Sequence, residues 1–272
     1  MTTDTYLIVE PNNGEFDMGP APRAYEVGEL VPDERPQLAG VAPTLWLLEH
    51  GERQIGHVRA IAEHDQEQLR HPRVCAILET EAGTYELRTH LAQALLLRKP
   101  IAGKAVFRYY DPRVYAHLRW ILQPAQLAIL MGPVTRWSWL DASGRWSEAH
   151  FDGQAVGALT VQPEQYQQIA RLALVRRALD LLRNAGAEIT AELPRQLDAQ
   201  FRKAEDYNLS EDDQIPFALH GVLVATNFDR HPQIQAVLAA SHSTPYAEAV
   251  STYTDDDWQR LRQESAQYFP LP

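Results

Sequence analysis

The chain of 272 residues contains a single cysteine, Cys75. One thiol excludes an internal disulfide and a cysteine-rich zinc site. Its place inside the apolar run Val74-Cys75-Ala76-Ile77-Leu78 marks it as a buried structural side chain rather than a nucleophile. No apolar stretch approaches the ~18 residues of a membrane-spanning helix. The opening Met1-Thr2-Thr3-Asp4-Thr5-Tyr6 has neither the basic nor the apolar region of a secretory signal. A reducing cytoplasm is therefore the expected setting. Phosphate-cradling glycine loops are missing, as are the Gly-x-Ser-x-Gly elbow of serine hydrolases and the His-Glu-x-x-His zinc signature. No cofactor or metal is expected. There is no block of Lys and Arg, and the formal net charge is -11. Non-specific nucleic-acid binding works by neutralising phosphates, so a chain this acidic is not expected to engage in it.

What is present is an ordinary globular composition, with 45% hydrophobic and 22% charged residues, enough to bury a real core. Strands are expected at Thr5–Glu10, Pro43–Leu48, Arg73–Thr80 and Ala105–Tyr110. The third is apolar on both faces and reads as central. Residues 11–40 are rich in Pro, Gly and acids and read as loop with one short element. Arg53–Leu69 is ambiguous, with a helix from about Val58. Thr84 is expected to cap a helix running to about Leu97, with Leu87, Leu91 and Leu95 on its core face. Asp111-Pro112 should start another helix, its buried stripe Val114, Leu118 and Leu122. A further helix, Ala125–Met131, should stop at Gly132-Pro133. Val134–Leu140 and Arg145–Phe151 read as a hairpin around Asp141-Ala142-Ser143-Gly144.

After Gly157 strand signals vanish and helices follow one another. Ser210 with Asp213, and Thr254 with Asp257, resemble capping boxes. The expected organisation is an α/β lobe over 1–157, a mixed sheet with flanking helices, followed by an all-helical lobe over 158–272. From residue 151 onward there are 17 acidic and 10 basic side chains. That suits a solvated helical surface or a basic partner.

Few residues suggest chemistry. Glu63-His64-Asp65 are neighbours in sequence and would not share a helix face, which makes a poor metal site. Asp229-Arg230-His231-Pro232 reads as loop and cap. Asp255-Asp256-Asp257 suits the positive end of a helix dipole. Arg171, Arg176, Arg177 and Arg183 read as a solvated helix face. Arg108, expected in mid-strand beside Phe107, Tyr109 and Tyr110, must be paired if buried, with Asp111 and Glu79 as candidates. Trp137 and Trp139 share one strand face beside Trp146. They either pack the core or anchor a protein partner, because Trp dominates interface hot spots.

The run Phe107-Arg108-Tyr109-Tyr110-Asp111-Pro112-Arg113-Val114, with Leu118, Gln126-Leu127 and Gly132-Pro133-Val134 downstream, is similar to the signature of a bacterial domain of unknown function. That domain is found in type VI secretion effector chaperones, also called adaptors. Upstream, His90-Leu91, Leu95-Leu96 and Pro43-Thr44-Leu45-Trp46-Leu47 also resemble family segments. The likeness is strongest over about residues 41–140. It departs at the start, where a Pro/Gly-rich loop stands in place of the family's first helix. The resemblance implies a non-catalytic role: binding a cognate effector and helping to load it onto the spike protein VgrG. In that reading Arg108, Tyr110, Asp111 and Arg113 form a structural hub. The Trp137/Trp139 hairpin and the helical lobe are the candidate contact surfaces. A metal-dependent hydrolase, or a stable subunit of the secretion machine, are the alternative expectations.

Overall fold

Buried side chains on both faces mark Asp4–Val9 (β1) as an interior strand of a sheet. The computed structural model describes residues 3–18 and 24–268. Contacts divide the chain into two units, Met1–Tyr166 and Gln167–Pro272. In the first unit β1 is joined by Ala24–Glu29 (β2), Thr44–Leu48 (β3), Val74–Thr80 (β4), Val134–Leu140 (β7) and Trp146–His150 (β8). The strand order is β2-β3-β1-β4-β7-β8. An α/β lobe followed by a helical region is what forms, but every pairing in this sheet is antiparallel rather than mixed. Leu96–Arg98 (β5) and Lys104–Val106 (β6) make a separate two-stranded hairpin.

Strand parity decides which helix covers which face. Tyr6 lies opposite Leu78, and Leu78 opposite Trp137. This face takes the helices Thr84–Ala94 (α2) and Pro112–Ile121 (α3). Tyr115 packs against Trp137 and Trp139 with ring centroids 5.3 and 4.8 Å apart, and the Tyr109 hydroxyl donates to the Leu91 carbonyl at 3.0 Å. The opposite face, with Leu7, Val9 and Ile77, packs on Val58 and Ala62 of Gly51–Glu67 (α1). A fourth helix, Pro124–Met131 (α4), leads to Gly132, whose φ of 57° favours glycine. A Cβ there would lie 2.3 Å from the His90 ring.

Several expectations need correction. Thr84 does not cap α2: Gly83 occupies the cap, and the Thr84 hydroxyl bonds to the Tyr6 hydroxyl instead. The strand expected over Ala105–Tyr110 ends at Val106, because the chain turns there, with Asp111 N donating back to Arg108 O to lead into the next helix. Arg108 is therefore in a turn, not in mid-strand. Of the stripe expected for α3, Leu118 and Leu122 are buried and Val114 is only half-buried, while Tyr115 and Ile121 complete the inward face. Helix α1 begins at Gly51, seven residues before the expected start.

The second unit is built from Pro163–Asn184 (α5, entering from the first unit), Leu193–Asp206 (α6), Glu211–Leu223 (α7), Pro232–Ala239 (α8), Tyr246–Val250 (α9) and Asp255–Tyr268 (α10). The Ser210 hydroxyl accepts from Asp213 N and starts α7, and Thr254 with Asp257 starts α10 in the same manner. One core cluster joins Val175 and Leu179 to Phe201 and Ile215. The other gathers Phe217, Phe228, Ile234, Tyr246 and Leu261. Helix α7 contributes to both. It approaches α6 closely at Gly221, where a Cβ would sit 2.4 Å from the Gln200 side chain. Arg171 departs from the expected solvated face. It is 4% exposed, with Nε 2.8 Å from Asp198 and Nη1 2.9 Å from Glu205. No described helix is long and apolar enough to cross a membrane.

His220 gives this unit a pH dependence. Its ring stacks on Trp258 at 4.1 Å and its Nδ1 lies 2.7 Å from the Tyr246 hydroxyl. Burial pushes its pKa down to about 4. The unfolded chain, titrating near ~6.5, takes up the proton first as pH falls. The contribution is therefore full above pH ~6.5 and is lost as pH drops towards 4, by up to about 3 kcal/mol. His117 in the first unit is also pushed to about 4 by burial and acts with the same sign. Urea unfolding of the full chain at pH 7 and pH 4.5 should show the loss, and His220→Gln should reduce it. An unchanged difference in that variant would remove His220 as its source.

Candidate functional site

Two carboxylates buried at one end of the sheet organise the site, Glu10 at 1% exposure and Asp111 at 3%. Charges taken this far from water must be paired and hydrogen-bonded. Glu10 follows β1 and keeps the parity of Tyr6 and Ile8, so it points to the side covered by α2 and α3. Asp111 precedes α3, where its side chain accepts from Arg113 N and Pro112 fills the first helical position. The turn before it closes through Asp111 N donating to Arg108 O at 3.0 Å, and Phe107 N extends the β5–β6 pairing by donating to Leu95 O.

The cations converge on these two groups. Arg113 donates from Nε and Nη2 to the two Asp111 oxygens at 2.9 and 2.6 Å, the fork geometry that makes Arg–carboxylate pairs strong. Its Nη1 lies 2.7 Å from His71 Nδ1, which faces a donor and so accepts. Arg108 Nη2 lies 3.0 Å from Glu10 and 3.6 Å from Asp111, with its guanidinium over the Tyr110 ring at 5.6 Å. The Tyr110 hydroxyl donates to Glu10 at 2.8 Å, and Asn12 donates from its backbone and side chain to the other Glu10 oxygen. Beside this cluster, Arg73 clamps the buried Asp65 of α1 and donates to the Glu15 carbonyl.

The electrostatics follow from this packing. Burial pushes the Asp111 carboxyl upwards, but the Arg113 hydrogen bonds and charge, with Arg108 beyond, outweigh it and hold the group below the usual range. Burial raises the Tyr110 hydroxyl and keeps it a neutral donor. Burial, then Asp111 and Glu10, pushes the Cys75 thiol well up, so it stays protonated and unreactive. Arg108 is the more open of the two cations, with 45% of its side chain exposed against 29% for Arg113. The arrangement ties β1, the start of β4 and the turn before α3 into one rigid node, with one guanidinium edge left outward.

Arg108, Tyr110, Asp111 and Arg113 thus come together. Glu79, the other partner expected for Arg108, faces Arg136 across the β4–β7 ladder and pairs with it instead. Trp137 and Trp139 lie under α3, at 0% and 2% exposure. Trp146 is half-buried, its Nε1 donating to Glu63 and its ring beneath Arg59. Glu10, His71 and the Arg73–Asp65 clamp were not singled out from the sequence, although the parity of Glu10 with Tyr6 and Ile8 was there to be read. In the second unit Asp229 accepts from Lys203 and Tyr207, while His231 caps α8 and meets Glu264 at 2.7 Å. Among the described residues no three His, Cys, Asp or Glu side chains converge to hold a metal ion.

No curated protein and no solved structure matches the chain. Residues 30–128, which include β3, β4, the β5–β6 hairpin and the Arg108–Arg113 node, match a family model described as a domain of unknown function, DUF4123.

Proposed function

We propose that this protein is a non-catalytic adaptor that binds a cognate type VI secretion effector in the cytoplasm of the producing cell and helps load it onto the VgrG spike. The observation that carries the proposal is the family match over residues 30–128. It takes in the Phe107–Val114 run and most of the flanking segments that resemble the adaptors of that secretion system. The node built from this run supports the reading in physical terms. Its charges are spent on holding three chain segments together, which suits a platform for protein recognition. The α/β lobe would serve as the rigid element and the helical lobe would offer a groove for an effector segment.

Co-expression with the protein encoded by the neighbouring gene, followed by size-exclusion chromatography, tests this. The expected result is a co-eluting complex, with the neighbour insoluble or degraded when expressed alone. Two stable proteins that elute separately would sink the proposal.

A further inference from the structure

The net charge of -11 conceals an asymmetry. Residues 87–140 carry eight Lys and Arg against a single carboxylate, Asp111, so every acid but one in this long stretch has been left out. The cations are dispersed in sequence, which is why no basic block is visible there. The β5–β6 hairpin gathers several of them. Its tip, residues 99–103, is closed by Lys99 N donating to Gly103 O at 3.0 Å, with Gly103 at a φ of 82°. Lys99 opens the tip, Arg98 and Lys104 flank it, and Arg35 reaches over from the preceding loop towards the Lys104 carbonyl. Together they line a cleft of about 550 Å³. The one acid on its wall, Glu34, is already held by Lys104 at 2.5 Å. Arg98 and Lys99 are exposed and have no carboxylate partner among the described residues. Between them and Lys104, Ile101 stands 99% exposed.

We propose that this cleft docks an acidic peptide segment of a partner protein, one that carries an aliphatic side chain to cover Ile101. Charge complementarity selects the occupant: a local cluster of cations on an otherwise acidic chain attracts carboxylates over a Debye length of about 10 Å at moderate salt. Ile101 supplies the apolar centre that interfaces keep inside a polar rim. The closed loop fixes the backbone that carries the cations, so the order still to be gained on binding is that of the side chains. The proposal rests on the charge and shape of the hairpin and stands whatever the identity of the effector.

The test is a fluorescence anisotropy titration of the full chain with a labelled peptide, Gly-Glu-Asp-Leu-Glu-Asp-Gly, and with its Gln/Asn counterpart. The acidic peptide should bind and the neutral one should not, with affinity falling at least about tenfold between ~50 mM and ~300 mM salt. Arg98→Glu/Lys99→Glu should abolish binding and Ile101→Ser should weaken it several-fold. Both should melt like the parent, since these side chains are exposed. Binding that survives the double charge reversal would overturn the proposal. So would no binding of the acidic peptide, or tighter binding of phosphatidylserine vesicles or a single-stranded oligonucleotide. Because the assay needs no effector, its failure leaves the co-expression result standing on its own.

Discussion

Arg171→Met is expected to lower the stability of the helical unit by about 3–5 kcal/mol. The wild-type guanidinium is 4% exposed and sits between Asp198 and Glu205. The two carboxylates differ in what they lose. Glu205, with 38% of its side chain exposed, returns to water, whereas Asp198, at 8%, is left buried with only the longer contact from Gln168. An uncompensated buried charge is the source of the large loss, not the absence of a contact. It follows that Arg171→Met combined with Asp198→Leu should recover most of the stability, because an apolar pair of similar volume has no charge to desolvate. Urea unfolding followed by circular dichroism checks both variants. A single-variant loss below about 1 kcal/mol, or a double variant no better than the single, would contradict this account.

Removing the carboxylate at the centre of the node is the second large effect. Glu10→Ala should cost about 3–4 kcal/mol, because it orphans the buried Tyr110 hydroxyl, frees both Asn12 donors and leaves a cavity at the end of β1. Arg108 contributes less to the loss than a buried partner would, since its half-exposed guanidinium can turn to water and keep its contact with Asp111. Glu10→Gln keeps the shape and one acceptor and should lose roughly half as much. Thermal or urea unfolding of the two variants provides the comparison. Equal losses would mean that charge, not acceptor geometry, holds the node.

The elements that could be read from the sequence are those whose inward residues are apolar. Strand β4 is a continuous buried run, and α2 repeats leucine at 87, 91 and 95, so each declared its type. Helix α1 did not, because its inward stripe is Gln54, Val58, Ala62 and Asp65, with the two polar ends 0% and 1% exposed. A periodicity search sees only its middle. Strand β2 is an edge strand with exposed Tyr25 and Glu26 and a glycine at a register shift, which reads as loop. Part of the node was visible because Asp111-Pro112 is a local cap signal. The inward parity of Glu10 was legible, but its pairing was not, because its partner Tyr110 lies 100 residues away and no local pattern links them.

The place of β1 bears on how this protein can be cut. It pairs with β3 on one side and β4 on the other, and β3 and β4 do not pair with each other. The stretch recognisable as a family domain, residues 30–128, leaves out β1 together with β2, β7 and β8. A fragment expressed between those limits would hold two strands with nothing between them and a Tyr110 hydroxyl with no Glu10 to meet. The unit of sequence recognition is thus smaller than the unit of folding, and boundaries for expression belong at the ends of the sheet.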